Sequence, residues 1–133
     1  MYTTSIKYDG ELRTISKHNY SGSNLITDAP IDNMGKGESF SPTDLVVTAL
    51  GSCILTIMGI YCQKNNLKFE AASIDVLKVM GSNPRRISKI DLNLNVKNDW
   101  DDKTLIKVLN AVKSCPVMKS LNDDIKITWK INS

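Results

Sequence analysis

A run of 19 residues without a charge, residues 45–63, constrains this chain more than any other feature. An uncharged stretch of that length falls within the span of a membrane helix. It also contains Thr48, Gly51, Ser52, Thr56, Gly59 and Gln63, and the rest of the chain consists of ordinary amphipathic elements that need a core. The segment therefore reads as a central helix buried on nearly all sides rather than as a membrane span. Its start is sharp: Ser41 is a good N-cap, Pro42 suits the first helical position, and Asp44 falls where a capping-box acid belongs. It runs to about Asn65, where Asn65-Asn66 supplies a stop. Leu45, Val46, Val47, Leu50, Ile54, Leu55, Ile57, Met58 and Ile60 point in every direction around it. A small domain covers such a helix only with a sheet on one side and another helix or subunit on the other. A homodimer is the expectation, with Gly51 and Gly59 letting helices approach closely.

The chain has 133 residues, which fits a single domain, 1–133, with a core of its own. Seventeen Lys and Arg against 14 Asp and Glu leave a net charge of +3, with no basic run and 6% aromatic residues. Nucleic-acid binding is therefore not expected. The start, Met-Tyr-Thr-Thr-Ser-Ile-Lys-Tyr-Asp, has no apolar stretch of signal-peptide length, so a cytoplasmic location is expected. In that setting three cysteines do not form a structural disulfide framework. Neither a cofactor nor a metal is expected.

Residues 2–8 and 11–17 read as two strands joined at Asp9-Gly10, and residues 24–27 as a third short strand. Residues 28–41 form a Gly-rich polar loop long enough to be functional. After the helix, residues 69–80 and 87–96 read as strands about a Gly81-Ser-Asn-Pro-Arg-Arg turn. In the second strand Ile90, Leu92, Leu94 and Val96 alternate with polar residues. Asp101-Asp102 opens a second helix, which breaks near Ser114-Cys115-Pro116. A short helix follows to Leu121, and residues 125–131 close the chain as a strand. The pattern is that of an α+β domain.

The cysteines differ in setting. Cys62 lies nine residues after Cys53 on one helix. At about 100° and 1.5 Å per residue, it stands on the opposite face and about 13.5 Å further along. A disulfide needs Cα atoms within about 7 Å, so these two cannot bridge, and Cys62 is most simply a core or interface residue. Cys115 precedes a Pro that starts a helix, where free N–H groups and the dipole favour a thiolate. Cys53, in mid-helix, needs a nearby cation to ionise. Folding has to bring Cys53 and Cys115 together for them to form a redox pair.

Ser41-Pro-Thr-Asp-Leu-Val-Val-Thr-Ala-Leu-Gly-Ser-Cys53, followed 62 positions later by Cys115-Pro-Val-Met-Lys-Ser-Leu121, resembles the OsmC/Ohr family of osmotically inducible and organic hydroperoxide resistance proteins. The stretch Thr27-Asp-Ala-Pro-Ile-Asp-Asn-Met-Gly-Lys-Gly-Glu38 is similar to its OsmC-like branch, and the resemblance covers nearly the whole chain. It implies an OsmC-like fold with antiparallel sheets wrapped around long central helices in an intertwined homodimer, with two active sites at the subunit interface. It also implies thiol-dependent reduction of organic hydroperoxides as part of an oxidative stress response. Cys53 would become a sulfenic acid, Cys115 would condense with it to a disulfide, and an external dithiol would reduce the pair.

The family's chemistry also uses an Arg and a Glu. Arg13 is the best match to the Arg by position. The Glu follows the Pro at the helix start in catalytically strong members, where this chain has Thr43. Asp44 is adjacent but faces about 100° away, and capping explains it without catalysis. Glu38 is the other candidate carboxylate. His18, the one histidine, carries no assigned role. Because of Thr43, a reading from a different class stands beside the peroxidase: a dimeric module that binds a small apolar or thiol-reactive ligand without catalysis.

Overall fold

A computed structural model describes all 133 residues. The chain divides into two compact units, Met1–Val46 and Val47–Ser133.

The first unit is a three-stranded antiparallel sheet in the order β1 (Thr4–Gly10), β2 (Arg13–His18), β3 (Asn24–Asp28). The β1–β2 hairpin turns two residues later than Asp9-Gly10 suggests. Gly10 sits at a register shift with φ +82°, and Glu11 and Leu12 occupy the turn itself with φ of 53° and 64°. Two consecutive positive φ values suit a tight hairpin but strain residues that carry a Cβ. Hydrogen bonds compensate: the Leu12 N–H donates to Tyr8 Oη at 3.2 Å, and the Leu12 carbonyl accepts from the Ala29 N–H at 3.2 Å. The displaced turn makes Arg13 the first residue of β2, directly across from Asp28.

The 28–41 loop is ordered by its own backbone. Asp28 N–H donates to Phe40 O at 3.0 Å, Gly37 N–H to Ala29 O at 3.2 Å, and Gly35 N–H to Pro30 O at 2.9 Å. Ile31–Asn33 forms one 3-10 turn inside it. At Gly35 a Cβ would stand 1.8 Å from the Ala29 carbonyl oxygen, so only glycine closes the loop this tightly.

The unit boundary falls within α1 (Pro42–Lys64). The capping box forms as read: the Ser41 N–H donates to Asp44 Oδ2 at 2.9 Å, and the Asp44 N–H donates to Ser41 Oγ at 3.1 Å. By length and composition α1 could cross a membrane, and in this chain one of its faces is spent on a core.

In the second unit, β4 (Ala72–Gly81) and β5 (Arg86–Val96) form an antiparallel pair. The chain then passes through α2 (Asp102–Ala111), a single turn at Val112–Ser114, and α3 (Pro116–Ser120) to β6 (Lys126–Asn132). β6 pairs with β5 in parallel, so this sheet is mixed rather than antiparallel throughout. A parallel neighbour cannot be reached by a tight turn, and the α2–α3 segment supplies the crossover. Asp101 caps α2 by accepting the Thr104 N–H at 2.8 Å, and the Thr104 side-chain hydrogen bond, followed by this backbone one, lowers its carboxyl from the ordinary value. The β4 strand begins at Ala72 rather than at 69: Phe69 stacks on Trp100 with ring centroids 5.9 Å apart.

The core joins Leu50, Ile54, Met58 and Cys62, every fourth residue of α1, to Ile90, Leu92, Leu94 and Val96, every second residue of β5. Val108 of α2 and Val112 of the turn after it close the core from the crossover segment. Each fully buried aliphatic side chain contributes at most about 1.5–3 kcal/mol. Within one chain α1 is not buried on all sides. Its opposite stripe, with Val46, Ala49, Ser52, Thr56 and Ile60, is exposed. Gly51 and Gly59 do not lie on that stripe to admit a second helix. Their missing side chains face Val76 and Ile74 of β4 and the Phe69 ring, at 3.0–3.7 Å from an added Cβ.

Candidate active site

The thiol pair lies in the second unit. Cys53, half-buried, stands at the margin of the exposed stripe of α1. Cys115 is fully buried and caps α3, its Sγ accepting the Met118 N–H at 3.4 Å. The Val112–Ser114 turn and Pro116 fix this cap: the Cys115 N–H closes onto Val112 O at 2.9 Å, and Pro116 takes the first helical position. Cys53 is close enough to Cys115 to act on its thiol electrostatically. Residues 62 positions apart in sequence are thus brought within reach of one another. Cys62 is 1% exposed in the core stripe.

The expectation that the start of α3 favours a Cys115 thiolate is corrected in its net effect. Burial pushes this thiol above its ordinary value, and the hydrogen bond to Cys53 and the Cys53 charge push it further the same way. The Met118 and Val117 N–H groups pull downward but are outweighed. A helix of five residues offers little dipole, and desolvation of an anion costs more than one turn of amides returns. Burial alone raises the Cys62 thiol. The half-buried Cys53 is therefore the cysteine placed for contact with solvent, and Cys115 waits behind it as a protonated thiol.

The first unit holds the charged candidates. Arg13 donates a hydrogen bond from Nη2 to Glu38 Oε2 and lies 3.7 Å from Asp28 Oδ2. The hydrogen bond to Glu38, and then its charge, raise the Arg13 guanidinium above its already high ordinary value, so it is a permanent cation. Of the two candidate carboxylates, Glu38 is the one that meets Arg13, while Asp44 caps α1. The Thr43 hydroxyl lies 3.2 Å from Ser41 Oγ. His18 shares a hydrogen bond of 2.6 Å with Ser21 across the β2–β3 turn, a local structural role.

Asp28 was not anticipated from the sequence. It is 1% exposed, and its Oδ2 accepts the Glu38 N–H at 3.0 Å. As the first residue of a polar loop it reads as turn chemistry. The signal that identifies it is the β2–β3 register, set by the connection at residues 19–23, which opposes Asp28 to Arg13.

The family model for OsmC-like proteins matches residues 35–130. A crystal structure from Psychrobacter arcticus, named for an osmotic stress and detoxification response, is 42% identical with a TM-score of 0.94, covering 99% of this chain and 96% of that one. An organic hydroperoxide resistance protein, OsmC, from Legionella pneumophila is similar in fold at 14% identity and TM-score 0.74, covering 100% and 98% of the two chains. So is an organic hydroperoxide resistance protein from Vibrio cholerae with captopril in one of its active sites, at 13% identity and TM-score 0.76, covering 100% and 93%. No curated protein matches the chain at a significant level.

The raised Cys62 thiol links stability to pH. Its native state holds the proton more tightly than the unfolded chain does. The stabilisation is therefore complete below the ordinary thiol value of 9.0 and is lost as pH climbs through the raised native value. Cys62→Ala should cost about 1–2 kcal/mol at pH 7 through the vacated core volume. It should also flatten the alkaline fall in stability, as read from urea unfolding at pH 7 and pH 10. An unchanged alkaline slope would show that Cys62 does not contribute to it.

Proposed function

The chain belongs to the OsmC-like protein family, and from that premise we propose that it is a cysteine-based peroxidase that reduces organic hydroperoxides with electrons from an external dithiol. The observation that carries this reading is the pairing of a half-buried Cys53 with a fully buried Cys115 on whose thiol it acts. Two thiols in that relation form a disulfide with little rearrangement, and only one of them is open to an incoming oxidant.

The Cys53 thiolate attacks the terminal oxygen of ROOH, the O–O bond breaks, and alkoxide leaves and is protonated to ROH. The Cys53 sulfenic acid then reacts with the Cys115 thiol, forming the S–S bond and releasing water. A dithiol reduces the disulfide by exchange and leaves as its own disulfide. The net reaction consumes ROOH and a dithiol and yields ROH, water and the oxidised dithiol. Arg13, held cationic by Glu38, is the residue this chemistry uses to stabilise the Cys53 thiolate and polarise the peroxide. In this role Glu38 takes the place of the carboxylate that Thr43 lacks. No cofactor and no metal are called on.

The proposal extends to a cytoplasmic homodimer of single OsmC-like domains. The exposed stripe of α1, with Ile60 at 43%, supports this in the second unit, and Ile6 at 62% and Tyr8 at 69% on β1 support it in the first. Apolar surface of this kind marks an interface. Sedimentation equilibrium at micromolar concentration should read twice the chain mass. A stable folded monomer would refute the assembly.

Single substitutions separate the roles. Cys53→Ser should abolish turnover of cumene hydroperoxide, a loss of at least about a thousandfold, since no other thiol is placed to attack. Cys115→Ser should keep the first oxidation within about threefold but stall as a sulfenic acid that over-oxidises, read as added oxygens by intact mass. Full activity of Cys53→Ser would overturn the assignment of Cys53 as the nucleophile, and an unmodified chain whose three cysteines all stay reduced under peroxide would favour a non-catalytic binding module.

A further inference from the structure

Asp28 occupies a position that neither the turns, the cap nor the core of its unit requires to be charged. It ends β3, and it faces Arg13 across the β2–β3 ladder as a direct cross-strand pair. Its backbone N–H donates to Phe40 O, and its Oδ2 accepts the Glu38 N–H at 3.0 Å while standing 3.7 Å from Arg13 Nη2. Its other oxygen, Oδ1, is buried without a hydrogen-bond partner. A neutral asparagine or serine would tether the Glu38 backbone without bringing a charge into a site that is 1% exposed. A buried carboxylate with an unpartnered oxygen is expensive, and its retention calls for a reason. Within the unit, the group that uses the charge is the Arg13 guanidinium.

The two carboxylates around Arg13 differ in environment. The Glu38 side chain makes the direct hydrogen bond to Arg13 but is 58% exposed, so water and salt compete for it. Asp28 acts from inside the unit, where screening is weak. It grips both the guanidinium, by charge, and the loop that carries Glu38, by hydrogen bond.

We propose that Asp28 is a positioning residue that fixes Arg13 and the Glu38 loop in one mutual orientation, so that the cation is presented preformed to the peroxide chemistry. This rests on the reading that Arg13 serves the reaction at Cys53. Asp28 acts through Arg13 and touches no reacting atom. Its contribution to rate therefore exists only while Arg13 is present.

A double-mutant cycle on the full chain tests this, using single-turnover consumption of cumene hydroperoxide by the reduced protein. Asp28→Asn is isosteric and keeps an acceptor for the Glu38 N–H but removes the charge. It should slow the first oxidation by about tenfold in the Arg13 background, and by less than about twofold in the Arg13→Met background. Equal slowing in both backgrounds would assign Asp28 a purely structural role and overturn the proposal, as would an unslowed Asp28→Asn. If Arg13→Met itself oxidises at the full rate, the role of Arg13 falls, and this inference with it. That outcome is distinct from a slow Arg13→Met with additive Asp28→Asn. Should Asp28→Asn fail to fold, Asp28→Glu, which keeps the charge on a longer arm, carries the same cycle. It should retain more than half the rate in the Arg13 background, and a loss as large as that of Arg13→Met would overturn the proposal.

Discussion

The proximity of a half-buried sulfur, Cys53, to a fully buried one, Cys115, is the constraint on which the proposed chemistry of this molecule depends. Cys53 and Cys115 belong to elements far apart in sequence, so this proximity exists only if both helices are placed accurately. α1 is set by its Ser41–Asp44 capping box and by the Leu50–Ile54–Met58–Cys62 stripe against β5. The crossover is set by β6 pairing in parallel with β5, which obliges the chain to return through α2 and α3. Cys115 closes that return as a cap, held between the Val112–Ser114 turn and Pro116. The apolar packing that fixes these elements amounts to several side chains at up to about 1.5–3 kcal/mol each. The thiol pair is thereby positioned by the core of its unit rather than by a loop.

The environment of the pair divides the labour. Burial favours the protonated form of a thiol, and it acts more strongly on Cys115 than the amides at the start of α3 act against it. A buried, protonated second thiol is protected from direct oxidation and reacts when a sulfenic acid forms beside it. The charged residues follow a similar economy. Arg13 is engaged by one exposed carboxylate and one buried carboxylate, and the buried one also fastens the loop that carries the exposed one. Strand register, loop closure and charge pairing are therefore one structural problem in the first unit.

Strong local patterns were legible from the residues alone. The start of α1 at Ser41-Pro42, the alternation along β5, the break at Ser114-Cys115-Pro116 and the separation of Cys53 from Cys62 all follow from periodicity and capping, which act over a few residues. The first hairpin was misplaced because Asp9-Gly10 is a good turn signal, whereas Glu11 and Leu12 adopt positive φ only with help from Tyr8 and Ala29. The pairing of Arg13 with Asp28 depends instead on the β2–β3 register and on β3 running one residue further, to Asp28. The parallel β5–β6 ladder was not legible either, since strand direction depends on where the crossover lands and not on local alternation. The Cys115 shift was misjudged because a helix start is visible in sequence while burial is not.

The most direct test of the account is a non-reducing peptide map of the reduced protein after one equivalent of an organic hydroperoxide. The account predicts rapid loss of two hydrogens per chain, with Cys53 and Cys115 of the same chain recovered in one cross-linked peptide pair and Cys62 recovered as a free thiol. A disulfide that includes Cys62, or three cysteines that all remain free after the peroxide is added, would contradict it.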